Sequence, residues 1–126
     1  MLYLGTETNK MKKVISTHNV PAAIGPYSQA ILSGNTLYCS GQIALNPSTG
    51  SLVMDNITAE TTQVMQNISA VLKAADMDFS HVVKCSIFMK DMNDYADINA
   101  VYANSFGENP PAREAVQVSV LPKNVN

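Results

Sequence analysis

Residues 58–75 place Val64, Met65, Ile68, Val71, Leu72 and Ala75 on one stripe at a 3.6-residue period, while apolar residues in segments on either side recur at a period of two. A chain with both periods must bury a helix stripe against a sheet face, which confines it to the layered architectures that mix helix and strand. The spacing predicts a helix over 58–75, with Thr58 as N-cap, Glu60 in the first turn and Asp76 ending it in a left-handed conformation. Strands are predicted at 12–17, 29–33 and 36–44, the last two split by Ser33-Gly34-Asn35, which is hairpin turn chemistry. Leu45 to Gly50 reads as a loop.

Residues 82–90 alternate Val83, Cys85, Ile87 and Met89 against Val82, Lys84, Ser86, Phe88 and Lys90, a strand with one face wholly apolar and the other mixed. Asp91 or Asn93 can cap a helix over 92–106, whose stripe runs through Tyr95, Ile98, Val101 or Tyr102, and Phe106, with Gly107 placed to stop it. A last strand follows the proline pair at 110 and 111, with Val116, Val118 and Val120 on one face. The order strand, strand, strand, helix, strand, helix, strand packs most economically as an α+β sandwich, two helices on one face of a mostly antiparallel sheet. Residues 1–10 carry no periodicity, and Met11-Lys12-Lys13-Val14 looks like a second natural start, so 1–10 read as a leader or expression remnant and 11–126 as a single domain.

Composition narrows the function classes. The formal charge of -2 and the scattered lysines make no basic stripe, so nucleic acid is not suggested as a partner. No apolar stretch approaches the roughly 20 residues needed to span a bilayer, and residues 1–10 lack the apolar middle of a secretory signal, so no membrane partner is expected and the chain is expected in the cytoplasm. Cys39 and Cys85 lie in apolar strand-like runs without a Cys-x-x-Cys pair and are expected as buried free thiols. Neither His18 nor His81 has a second ligand at helical or hairpin spacing, so no metal site is predicted, and the seven methionines read as core filler.

Arg113 is the only arginine in the chain, set where the proline pair hands over to the last strand. A guanidinium stays charged at any working pH and presents a rigid fork of donors that matches a carboxylate, so Arg113 is a candidate anion clamp. The alternative is a strand-edge arginine paired with a nearby carboxylate. Two further segments carry candidates. In Gly25-Pro26-Tyr27 the turn would aim Tyr27 at a fixed place, or into the core, and Gly41 interrupts a strand as glycines do where a backbone or a ligand comes close.

Taken together, Gly25-Pro26-Tyr27-Ser28-Gln29, Ser40-Gly41-Gln42, Asn46-Pro47, Gly50, Asn67, Val83-Lys84, Phe88 with Lys90-Asp91-Met92-Asn93-Asp94, Asn99 with Tyr102, and Pro111-Ala112-Arg113 resemble the RidA/YjgF family of enamine and imine deaminases. The resemblance spans 12–126 and rests on the set in this order. It implies a chorismate-mutase-like α+β subunit that assembles as a homotrimer around a central barrel, with sites in the clefts between subunits. It implies that Arg113 holds a substrate carboxylate and that Tyr27 joins it as a catalytic residue, reaching across the interface. The backbone at Gly41 and at Glu114 to Ala115, together with Asn99, would line the remainder.

The implied chemistry is the hydrolysis of 2-imino acids, derived from 2-aminoacrylate and 2-aminocrotonate, to 2-keto acids and ammonia. The enzymes that supply such substrates are PLP-dependent serine and threonine dehydratases, and no metal or organic cofactor is expected here. Many bacterial relatives carry cysteine where this chain has Ala115. Relatives also continue past Leu121 to Asn126 into a final strand whose glutamate positions the attacking water, a strand this sequence is expected to lack. The competing class is a non-catalytic protein that binds or senses 2-keto or 2-imino acids. A chorismate-mutase-like isomerase is disfavoured by the single arginine, since a dianionic substrate usually takes more than one cationic contact.

Overall fold

Gly34 turns the chain back on itself in the computed structural model, which describes residues 12–126. Its φ of +57 makes the first turn position left-handed, as in type II′ hairpins, and joins β2 (Ala30–Ser33) to β3 (Thr36–Cys39). With β1 (Lys13–Ile15) they form an antiparallel sheet in the order β1-β2-β3. The long helix α1 (Ile57–Ala74) follows, then β4 (Lys84–Met89), α2 (Tyr95–Ala103) and β5 (Ala112–Gln117). β4 and β5 run parallel, Cys85 opposite Arg113 and Phe88 opposite Val116, with α2 as the crossover that a parallel pair needs. The architecture is α+β as expected, antiparallel in its first sheet and parallel in its second. The reading of residues 1–10 as a leader lies outside the described residues.

α1 packs its C-terminal half on the first sheet, where Ile15, Val20, Ala30 and Val71 are buried together with Leu32, Leu37, Ala70 and Ala75 against them. Its N-cap is Asn56, not Thr58: Asn56 is extended, and its Oδ1 accepts from the Ala59 amide at 2.8 Å. At the other end Asp76 is left-handed, φ +56, and the Met77 and Asp76 amides donate back to the Leu72 and Lys73 carbonyls. That is a Schellman closure with aspartate in the position glycine usually takes. The stripe also buries polar residues that periodicity alone had not marked, namely Glu60, Thr61 and Asn67.

Three boundaries differ from the sequence reading for local reasons. β3 stops at Cys39 rather than 44: Ser40 makes one last bond across, its amide donating to the Gln29 carbonyl at 3.0 Å and its hydroxyl to the Ser28 carbonyl at 2.6 Å, and the chain is irregular beyond it. The helix expected over 92–106 begins as a short 3₁₀ turn, Met92–Asp94, capped by Asp91, before α2 proper. β5 ends at Gln117, whose side chain leaves the sheet to accept from the Met92 amide at 2.9 Å. The thiols depart from expectation too: Cys39 is exposed at the end of an outer strand of its sheet, and Cys85 is half-buried. Among the described residues no helix is long and apolar enough to cross a membrane.

Candidate active site

Pro110 and Pro111 fix an extended approach to β5, so Arg113 enters the strand with its side chain on the face that α2 covers. Successive strand residues alternate faces, and Glu114 accordingly lies on the opposite one, where its carboxylate takes Lys84 Nζ and Ser86 Oγ. α2 presents Tyr95, Asn99 and Tyr102 at positions i, i+4 and i+7, which is one helical face. All three meet the guanidinium. Arg113 Nη1 donates to Asn99 Oδ1 at 2.8 Å and Nη2 donates to Tyr95 Oη at 2.6 Å. Its Cζ stands 4.8 Å from the Tyr102 ring centroid and 5.5 Å from that of Tyr95. Tyr102 leans on Phe106 at 4.7 Å between centroids, and Phe106 meets Phe79 edge-on at 5.3 Å.

The partners of Arg113 are neutral, and among the described residues neither ion pair includes it. The strand-edge arginine neutralised by a carboxylate is therefore not what the structure holds. Beside the guanidinium opens a cavity of about 410 Å³ lined by Asn99, Tyr102, Phe106, Pro110, Pro111 and neighbours, its wall mixed polar and apolar with the Asn99 amide and the Arg113 cation in it. Burial pushes the Tyr102 phenol above its ordinary value, the adjacent Cys85 thiol adds to this, and Arg113 opposes it. A groove of about 460 Å³ between the β1–β2 loop and α1 has Lys73 as the one charged wall residue among the described residues.

The structure thus brings Arg113 and Asn99 together but does not bring the other candidates to them. Tyr27 sits on the β1–β2 loop, 51% exposed, its ring against Gly25 and its hydroxyl accepting from the Ile24 amide at 3.4 Å. Gly41 lies exposed in the irregular stretch after β3, and among the described residues a Cβ there would meet nothing within 4 Å. Neither residue lines the arginine cavity. Ala115 follows on β5, half-buried, and Glu114 can offer the site only backbone. Sequence reasoning missed the roles of Tyr95 and Tyr102, whose 95/99/102 spacing shared one face with Asn99 but read as core stripe.

The chain as a whole has known relatives. The endoribonuclease L-PSP family model matches residues 17–126. A RutC family protein of Pyrococcus horikoshii is 53% identical over 115 residues, covering 91% of each chain. The human 2-iminobutanoate/2-iminopropanoate deaminase is 47% identical over 113 residues, covering 90% of this chain and 82% of that one. The crystal structure of a conserved Rid family protein from Yersinia pestis superimposes with a TM-score of 0.88 at 49% identity, covering 90% of this chain and 91% of the other. The chain belongs to the RidA/YjgF family, whose model carries the endoribonuclease L-PSP description.

Proposed function

We propose that the chain hydrolyses small 2-imino acids such as 2-iminobutyrate and 2-iminopropionate to 2-keto acids and ammonia. The observation that carries this reading is the uncompensated guanidinium of Arg113, held by two neutral acceptors beside a cavity with room for a small carboxylate. Asn99 and Tyr95 take only part of its donor set, which leaves N–H groups for an anion. The resemblance to a human protein named for imine deamination agrees with it.

Once the carboxylate is clamped, C2 of the C=N bond is already electrophilic. Water adds its oxygen to C2 and the π pair moves to nitrogen. Two protons pass in turn from oxygen to nitrogen, the C–N bond breaks with its electron pair going to nitrogen, and ammonia leaves as the C=O forms. The protein contributes placement of the imine and of one water. In this reading the cavity is half of a site, and a second copy in a homotrimer supplies Tyr27 to it. Dehydratases that use PLP are the class of enzyme that supplies the imine.

The test is keto acid formation as threonine dehydratase generates the imine in situ, timed with and without micromolar protein. We expect acceleration, and the spontaneous rate throughout would overturn the proposal. One observation favours a second reading, a binder of 2-keto acids: the described cavity walls carry no carboxylate to position water. Calorimetric binding of 2-ketobutyrate without faster imine loss would select it.

A further inference from the structure

We propose that Tyr102 and Tyr95 are positioning residues that brace Arg113, Tyr102 by the face of its ring and Tyr95 by its hydroxyl, so that the fork meets a carboxylate already oriented. The geometry fixes the guanidinium in two ways. Asn99 and Tyr95 accept from its two terminal nitrogens, which sets its rotation about the long axis, and Tyr102 lies at 4.8 Å, which sets the plane. A half-buried cation over a ring is held more strongly than an exposed one, because water competes less for it. Among the described residues the hydroxyl of Tyr102 makes no hydrogen bond to Arg113 and lies by the Cys85 thiol, so it is the ring's face and not its polar tip that acts on Arg113. Phe106 packs at a tilt against the Tyr102 ring, and Phe79 holds Phe106 edge-on in turn.

This inference rests on the proposed clamp for its catalytic meaning, yet it can be tested without turnover. Arg113 is the sole arginine, so the ¹⁵N-labelled full chain gives one set of guanidinium resonances. In the wild type we expect a ring-current shift of those protons and slow rotation about Cζ–Nη. Tyr102→Leu should lose the shift and speed the rotation, and Tyr102→Phe should restore both. Tyr95→Phe should speed rotation while leaving the shift largely in place. Binding of 2-ketobutyrate should weaken about 2- to 30-fold in Tyr102→Leu, with KM rising more than kcat falls, and recover in Tyr102→Phe.

A wild-type arginine that rotates freely without a ring-current shift would overturn the brace, as would a Tyr102→Phe variant no better than Tyr102→Leu. Should Tyr102→Leu not fold, Tyr95→Phe decides the hydrogen-bond half on its own: unchanged rotation there overturns it. A stacked, slow arginine in a protein that leaves imines untouched would sink the deaminase reading and keep the brace.

Discussion

Tyr102 carries the one buried side-chain polar atom that lacks a hydrogen-bond partner among the described residues. An unsatisfied hydroxyl in a protein interior typically costs about 1–3 kcal/mol, so Tyr102→Phe should raise the free energy of unfolding by about 1 kcal/mol, read from urea denaturation. The two proteins should also differ in alkali. The folded phenol titrates above its ordinary value of 10.0, because burial penalises the charged form. Below pH 10 both states keep the proton; above it the unfolded chain releases the proton first, and stability falls as pH rises. Tyr102→Phe should therefore lose stability less steeply than the wild type above pH 10. At Arg113, lysine keeps the charge but not the fork, and we expect Arg113→Lys to lose about 2–4 kcal/mol in kcat/KM for 2-iminobutyrate. An unchanged kcat/KM would remove the clamp and leave the fold standing. Arg113 was legible in the sequence because it is singular and follows two prolines; its tyrosine partners were not, since aromatic residues at helical spacing ordinarily mean core.

At the scale of elements, periodicity found α1 and β4 because apolar residues there follow one repeat, and it failed where polar side chains do structural work. Asn67 sits on the buried stripe of α1, 1% exposed, with Nδ2 donating to the Ile43 and Leu45 carbonyls at 3.1 and 2.9 Å and Oδ1 accepting from Gln63. It latches the stretch that follows Gly41 to the helix, a contact between residues 22 and 24 positions apart that no local pattern announces. Glu60 does the same for the C-terminal segment, its carboxylate accepting from the Asn126 backbone and side-chain amides at 2.9 Å each. Asn67→Leu should leave the Leu45 carbonyl without its donor and the Ile43 carbonyl with the Leu45 amide alone, and cost about 1–3 kcal/mol in urea denaturation. Hydrogen exchange should quicken at Leu45 and Val53, whose amides close on Ile43 and Ala44, while amides of the β4–β5 pair stay as protected as before. Loss spread evenly over both sheets would mean that Asn67 supports the core generally and does not latch the loop.

For the molecule as a whole, one sheet face is left exposed among the described residues. Phe88 and Val116, opposite one another in the β4–β5 register, are 54% and 42% exposed beside the Lys84–Glu114 pair. The loop with Ile24 and Tyr27 projects a second apolar surface. Exposed apolar patches of this kind commonly mark association, and closed symmetry is the usual outcome for identical chains. On the homotrimer proposed above, sedimentation equilibrium should give three chain masses. A head-to-tail ring would set Tyr27 of one copy against Arg113 of the next, and this has a sharper consequence than mass. Arg113→Ala and Tyr27→Ala should each be poorly active alone. Denatured together in equal amounts and refolded, they should form mixed rings in which about a quarter of the interfaces pair an intact arginine with an intact tyrosine. Activity should return to about a quarter of the wild-type level. If Tyr27 served the arginine of its own chain, no mixture could rebuild a site, so mixed rings with only the sum of the two residual activities would place the whole site within one subunit.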